Sequence, residues 1–174
     1  MVATGATEAH QLFPGNDLPG VLLGRAASAM AALHGVAPGR RVVVVASTAE
    51  GVEHLRALVA AGTQVVAALV PSAFVDEVPR ETEAIVDGEL VEARGHGRLR
   101  SVVVRERGEG RRIRCDALVL SMGLAPRDEL ARMAVGEPVR LVFASPCLQF
   151  ADQPRPRRHA DVAHPACCLR AEQA

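Results

Sequence analysis

The feature that most constrains this chain is an unbroken run of valines at residues 42–45, with a second apolar run at residues 64–70. Strands that are apolar on both faces are typical of a parallel sheet covered on both sides. Between the two runs, residues 49–61 carry apolar side chains at intervals of three and four, and Gly62 is expected to end that helix. The sequence therefore predicts a βαβ unit with both strands in one sheet.

Further elements are expected on either side of this unit. Residues 21–34 are rich in Ala and Leu and stop at Gly35, which predicts a helix. Downstream, glycines separate three β-like segments, at 84–94, 100–107 and 111–120. We predict that the first two form an antiparallel meander and that the third returns to the parallel sheet.

The expected fold class is α/β, a Rossmann-like three-layer domain with a small parallel sheet, helices on its faces and an antiparallel β-meander. A chain of 174 residues suits one such domain. The residues after Phe143 are dominated by Pro, Arg, His, Cys and Ala and show no apolar period. We therefore predict one domain at residues 1–143, which includes a short helix at 129–135, and an irregular or disordered tail at 144–174.

Composition excludes several classes of function. Twenty basic residues balance twenty acidic ones, so no net field draws the protein to nucleic acid or to an anionic membrane. Aromatic residues make up 2% of the chain, without Trp or Tyr, which removes the usual stacking platforms for bases. No apolar run approaches the roughly 20 residues that span a bilayer, and no export signal is recognised. We expect a cytoplasmic protein with no nucleic-acid partner and no membrane segment.

The cysteines and histidines suggest neither a metal site nor a catalytic one. In the tail, Cys147, Cys167 and Cys168 with His159 and His164 fit no zinc or iron-sulfur spacing, so no metal site is predicted.

Cys115 precedes an apolar strand and is expected to be buried. His10, His34, His54 and His96 share no motif with a Ser or Asp partner and are interpreted as surface or cap residues. No catalytic residue is predicted.

The corner between the first predicted strand and its helix is the candidate binding site. A helix start binds pyrophosphate because free backbone N–H groups and the helix dipole point at it. The dinucleotide fingerprint has glycine at its first, third and sixth positions. This chain has Ala46, Thr48 and Gly51 there. The hydroxyls of Ser47 and Thr48 are candidate phosphate donors, although the Thr48 side chain would push a pyrophosphate outward.

A second part of the fingerprint is missing. An acid about twenty residues further on, at the end of the second strand, normally holds the adenosine ribose. Val70 and Pro71 stand at that place. The corner is thus either a weak NAD site or a βαβ unit kept for packing alone.

Ordered segments of the chain resemble a known group of flavoproteins. They are residues 2–8 (VATGATE), 13–21 (FPGNDLPGV), 35–40 (GVAPGR), the pair Cys115-Asp116 and residues 121–126 (SMGLAP). Together they resemble the alpha subunit of heterotetrameric sarcosine oxidase, and the subunits of hydrogen cyanide synthase and opine oxidase are similar. The resemblance runs from Val2 to about Val135.

The resemblance implies a two-dinucleotide-binding flavoprotein, in which an Ala-Thr-Gly strand crosses from an FAD domain into an inserted NAD domain. It implies that residues 1–143 form an FAD/NAD(P)-binding-like domain, with Thr4, Gly5, Met122 and Gly123 near a flavin. The family's FAD glycine motif and its later Gly-Asp segment have no counterpart in this sequence. Residues 71–83 are also too few for the family's second crossover helix.

Two functions remain open from the sequence. The chain is interpreted as a partial or split subunit of an FAD/NAD(P)-dependent amine or amino-acid oxidoreductase that supplies the degenerate pyridine-nucleotide domain and is inactive alone. Its partner would be an FAD-carrying subunit or a second copy of the chain, with NAD as a weak ligand and FAD bound only with that partner. The alternative is a non-catalytic interaction or scaffold domain that kept the fold and lost the nucleotide.

Overall fold

The computed structural model describes residues 5–127, 141–143 and 169–171. They belong to two compact units, one formed by Glu8–Gly123 and the other by the described residues on either side of it. The elements in chain order are β1 (Ala6–Glu8), β2 (Val21–Leu23), α1 (Gly24–His34), β3 (Val42–Ala46), α2 (Ala49–Ala60), β4 (Val65–Val70), a 3₁₀ segment (Ser72–Glu77), β5 (Glu83–Val86), β6 (Glu89–Gly95), β7 (Leu99–Glu106), β8 (Glu109–Arg114), β9 (Ala117–Ser121), β10 (Leu124–Pro126), β11 (Leu141–Phe143) and β12 (Leu169–Ala171).

A five-stranded parallel sheet in the order β2-β9-β3-β4-β5 forms the centre of the larger unit. The predicted βαβ unit is confirmed as β3, α2 and β4, with Val44 opposite Ala68. Strand β9 lies on the other side of β3, so the predicted return strand is also confirmed. All five residues of β3 are buried, as expected for a strand covered on both faces.

The sheet is the middle of three layers, because alternate residues of β3 enter two different cores. Val42, Val44 and Ala46 pack with the apolar stripes of α1 and α2. Val43 and Val45 face the other way and pack with the three-stranded antiparallel sheet β6-β7-β8. The three-layer α/β fold is therefore confirmed. Both helices, however, lie on one face of the sheet and the meander covers the opposite face, where helices were expected on both.

The start of the predicted helix at 21–34 is wrong. Val21–Leu23 form β2, the edge strand that pairs with β9, and α1 begins only at Gly24. Leucine and valine fit either element, so pairing with β9 decides the conformation of these three residues.

Two of the predicted β segments each divide between the two sheets. The segment 84–94 is broken at Asp87, whose φ is 52°, so that β5 joins the parallel sheet and β6 opens the meander. The segment 111–120 is broken at Cys115 and Asp116, between β8 and β9. The meander therefore consists of β6, β7 and β8, and the two-strand version predicted from the sequence is incomplete.

The connection between β4 and β5 is as short as the sequence predicted. Strands β4 and β5 are joined through the 3₁₀ segment Ser72–Glu77 in place of a full crossover helix, in agreement with the short stretch of sequence available.

The smaller unit contains two short two-stranded sheets, β1 with β10 and β11 with β12. Strands β11 and β12 are antiparallel. In the second, Phe143 lies opposite Leu169, so Leu169–Ala171 of the predicted tail form a strand. The rest of the tail and the predicted helix at 129–135 lie outside the described residues.

Candidate functional site

The carboxyl ends of β3 and β9 meet at one corner of the parallel sheet. Ala46 lies opposite Ser121, and the Ser47 amide donates a hydrogen bond of 3.0 Å to the Ser121 carbonyl. Met122 and Gly123 follow β9 directly, and helix α2 starts two residues after Ser47. Six of the predicted site residues are thus brought together: Ala46, Ser47, Thr48, Gly51, Met122 and Gly123.

Gly51 allows α2 to pack closely on the sheet. A Cβ atom at this position would lie 3.0 Å from the Cα and Cβ atoms of Ala46 and 3.0 Å from the Ser121 carbonyl oxygen. At such distances a side chain would require these neighbours to move by a few tenths of an ångström. Gly51 therefore performs the helix-packing role of the third glycine in the dinucleotide fingerprint.

Thr48 caps the helix and fills the place of the fingerprint's second glycine. Its backbone is extended, with φ −139° and ψ 164°, and its Oγ1 atom accepts a 3.2 Å hydrogen bond from the Gly51 amide. The side chain is buried, and its Cγ2 methyl would lie 3.2 Å from a Cβ atom at Gly123. One donor of the helix start is thus satisfied internally.

The other polar groups at the corner are the Ser47 hydroxyl and the amides of Ala49 and Glu50, and, among the residues described, only the hydroxyl is hydrogen-bonded. The Ser47 hydroxyl donates to the Met122 sulfur at 3.2 Å, a weak acceptor that a phosphate oxygen could displace. Within the described residues, the amides of Ala49 and Glu50 make no hydrogen bond. These amides and the positive end of the helix dipole are the groups that could hold an anion.

A polar network that the sequence did not predict runs behind the corner. Arg25 donates from Nε and Nη2 to Glu50 at 2.9 and 2.8 Å. His54 Nδ1 lies 2.9 Å from Ser121 Oγ, and its Nε2 lies 4.0 Å from Glu50 Oε1. The interpretation of His54 as a surface or cap residue is therefore wrong. The only sequence signal was the i, i+4 spacing of Glu50 and His54 on α2.

This network stabilises the packing of α1 and α2 on the sheet and does not present a nucleophile to a substrate. Burial lowers the pKa of His54, and the nearby Glu50 carboxylate opposes that shift only in part. Ser121 is 3% exposed, so its hydroxyl is closed to a substrate. A Cβ at Gly24 would lie 2.5 Å from His54 Nδ1 and 2.7 Å from Ser121 Oγ, which shows how tightly α1 covers the pair.

An acid from the turn after β5 lies at the end of β4. Val70, at the fingerprint's acidic position, is buried. Asp87 lies beyond the end of β5, and its Oδ1 accepts a 3.0 Å hydrogen bond from the Ser72 amide. The Asp87 amide in turn donates to the Val70 carbonyl at 2.9 Å. A carboxylate therefore lies next to the end of β4 although the local sequence there has none.

Two predicted site residues remain, Thr4 and Gly5. Thr4 lies outside the described residues. Gly5 belongs to the smaller unit, where it has φ +73° and its carbonyl accepts a 3.0 Å hydrogen bond from the Arg127 amide.

Cys115 is buried, as predicted, and burial raises its pKa to about 12, which makes it a poor nucleophile at neutral pH. No group of three or more candidate metal ligands occurs in the described part of the chain. The tail cysteines and histidines considered as metal ligands lie outside it. None of the described helices is both long and apolar enough to cross a membrane.

Solved structures define the class of this fold. The chain is similar to L-proline dehydrogenase from P. horikoshii, with a TM-score of 0.55 and 25% identity over 82% of this chain and 24% of that one. Thioredoxin reductase from T. acidophilum superposes with a TM-score of 0.58 at 19% identity, over 79% of this chain and 47% of that one.

A third structure, an FAD-dependent pyridine nucleotide-disulphide oxidoreductase from Desulfovibrio vulgaris, gives a TM-score of 0.55 at 18% identity over 82% of this chain and 38% of that one. The fold is that of the Rossmann-like FAD/NAD(P)-binding oxidoreductases.

Sequence relatives identify the family within this class. The chain is 35% identical over 144 residues to the sarcosine oxidase alpha subunit of Rhizobium meliloti, and 32% identical over 139 residues to that of Corynebacterium sp.. These matches cover 80% and 72% of this chain and 14% of each relative. No protein-family model matches. The chain belongs to the family of two-dinucleotide-binding flavoproteins that includes the sarcosine oxidase alpha subunit, and it corresponds to about a seventh of that subunit.

Proposed function

We propose that this chain supplies the pyridine-nucleotide domain of a flavin-dependent amine or amino-acid oxidoreductase and that its corner retains a weak NAD site. The observation that carries this proposal is the start of α2, where Gly51 keeps the close packing of a dinucleotide fold and two amides are free. Because the chain spans 14% of its relatives, the activity of the whole assembly, its substrate and its partner are all proposals.

Different residues of the corner would bind different parts of NAD. The amides of Ala49 and Glu50 and the hydroxyl of Ser47 would bind the pyrophosphate, and Asp87 would replace the missing acid that holds the ribose. Bound NAD would supply or accept a hydride. This division is supported by the free amides and by the carboxylate beside β4.

The flavin would be held chiefly by another chain. The family resemblance suggests contacts from Thr4, Gly5, Met122 and Gly123 to an FAD that an FAD-carrying subunit, or a second copy of this chain, completes. The similarity to a protein named as a subunit supports a subunit role here.

A scaffold domain without nucleotide is the second candidate. The Thr48 side chain occupies the space that a second glycine would leave to the phosphate. The Glu50 carboxylate adds negative charge at the helix start, although Arg25 pairs with it. Both features would weaken binding without disturbing the fold.

Calorimetric titration of the full chain with NAD, NADP, ADP and FAD separates the two candidates. A Kd below about 100 μM, or about 5.5 kcal/mol, for a nicotinamide nucleotide is expected. The informative variant is Ala49→Pro, which deletes one free amide. Proline is tolerated at the first helical position when the residue before it is extended, and Thr48 is extended.

The matched control is Ala49→Ser, which keeps the amide. Ala49→Pro should weaken nucleotide binding at least tenfold while leaving thermal unfolding unchanged, and Ala49→Ser should bind like the unaltered protein. The absence of measurable binding with all four nucleotides would reject the nucleotide site in favour of the scaffold role.

A further inference from the structure

A groove of about 430 Å³ lies at the amino ends of the parallel strands, opposite the carboxyl ends where the proposed NAD site lies. It is placed there because Arg40 and Arg41 directly precede β3 and Asp116 directly precedes β9, at the amino ends of two parallel strands. Five arginines and one aspartate line it, above a floor of Leu99 and Cys115: Arg40, Arg41, Arg98, Arg100, Arg114 and Asp116.

Three separate segments bring these arginines together. Arg98 precedes β7 and Arg100 is its second residue; both are exposed on either side of the fully buried Leu99 and both line the groove. Arg114 ends the adjacent strand β8, and the Cys115 amide after it donates to the Arg100 carbonyl at 3.2 Å. Arg41 bridges from the third segment, because its Nε donates to the Arg114 carbonyl at 3.3 Å.

The arginines of the groove are not neutralised by ion pairs. Within residues 8–123, none of the five forms an ion pair with a carboxylate. Five other arginines of the same unit do pair with glutamates: Arg25, Arg56, Arg94, Arg105 and Arg111. Positive charge is therefore concentrated in the groove although the chain as a whole is neutral.

The single carboxylate of the groove is already engaged with the backbone. Asp116 Oδ1 accepts from the Arg41 amide at 2.8 Å and Oδ2 accepts from the Arg40 amide at 3.1 Å. Both oxygens hold the loop that presents the two arginines. Asp116 thus positions the cluster while offsetting only part of its charge.

We propose that this groove binds a small oxyanion that carries at least two phosphate or carboxylate groups. Guanidinium groups are suited to such a ligand because each presents a planar fork of donors to two oxygens. A volume of 430 Å³ lies within the usual range of about 300–1,000 Å³ for small-molecule sites. The lining has no aromatic side chain to stack on a base, which favours a simple polyanion over a nucleotide.

The test is a calorimetric titration of the full chain with tripolyphosphate and, separately, with citrate. Binding of at least one probe is expected, with an affinity that falls as salt is raised; the preferred probe distinguishes a phosphate from a carboxylate ligand. In Arg98→Ser/Arg100→Ser, affinity for that probe should fall at least tenfold, with thermal unfolding unchanged.

The charge-matched control is Arg80→Ser combined with Arg107→Ser, because both arginines are exposed and lie outside the groove. This control should bind like the unaltered protein. An equal loss of affinity in both double variants would show that net charge alone attracts the probe and would overturn the site. The absence of binding with both tripolyphosphate and citrate would also overturn it. Ala49→Pro should not alter this binding, so the outcome does not depend on the nucleotide site.

Discussion

His54 Nδ1 and Ser121 Oγ lie 2.9 Å apart and join helix α2 to the end of β9. The imidazole side chain is 14% exposed, and burial lowers its pKa below the ordinary value of 6.5. The neutral ring is therefore the form that the folded protein prefers. Since this contact lies directly behind the proposed NAD site, protonation of His54 links pH to the local stability of that corner.

The first prediction concerns that linkage. Between pH 6.5 and the lowered pKa, the unfolded chain binds a proton that the folded chain does not, so stability is present above this window and is lost as pH falls through it. Urea unfolding from pH 7.5 to 5 should show this loss. His54→Gln should flatten the dependence, whereas the exposed His96→Gln should keep it. An unchanged slope in His54→Gln would contradict the assignment.

The second prediction tests the close packing of α2. Gly51→Ala gains about 1 kcal/mol of helix propensity but places a methyl group 3.0 Å from Ala46 and from the Ser121 carbonyl. Overpacking costs about 1–3 kcal/mol, so a net loss of roughly 1 kcal/mol in unfolding free energy is expected. Gly110→Ala, where a Cβ meets nothing within 4 Å, should show no loss. Equal stabilities of the two variants would refute this role of Gly51.

Much of the fold could be predicted from the sequence because its strongest signals are local. The valines of β3 and the apolar spacing of α2 each determine one element without reference to the rest. The edge strand β2 was missed since three apolar residues next to a helix become a strand only by pairing with β9. The break at Asp87 was missed because its positive φ of 52° occurs at a residue other than glycine.

The candidate site could be predicted only where a motif is continuous in sequence. Ser47, Thr48 and Gly51 lie on one turn and were found together. Arg25 and Ser121 are brought to α2 from distant segments, and the carboxylate of Asp87 reaches the end of β4 from β5. Contacts of this kind depend on sheet order, which no pattern in the sequence specified.

The third prediction concerns the turn into β3. Asp116→Ala leaves the Arg40 and Arg41 amides without their carboxylate partner. Hydrogen bonds to charged groups contribute about 1.5–3 kcal/mol, and solvent access reduces this, so a loss of roughly 1–2 kcal/mol is expected by urea unfolding. The matched variant Asp76→Ala removes an exposed carboxylate without a hydrogen bond in the described structure and should be neutral.

The pH dependence of the same variant provides an independent check. Burial acts to raise the pKa of Asp116, but the Arg41 and Arg40 amides outweigh it and hold the pKa below its ordinary value of 3.8. The carboxylate therefore stabilises the fold above that value, and its contribution disappears as pH falls through the lowered pKa. The stability difference between the unaltered protein and Asp116→Ala should shrink in acid; a constant difference would count against the charged hydrogen bonds.

The fourth prediction is a gain of nucleotide affinity at the proposed NAD site. Thr48→Gly restores the fingerprint's second glycine and removes the methyl group that lies toward Gly123, so a pyrophosphate can approach the free amides more closely. Glycine at a helix N-cap costs only a few tenths of a kcal/mol relative to threonine, and the Gly51 amide loses its internal acceptor and becomes a third donor. NAD affinity should rise about tenfold by calorimetry. Thr48→Ser keeps the cap and should gain less, while a Thr48→Gly protein that folds normally and binds no tighter would show that this side chain is not what limits binding.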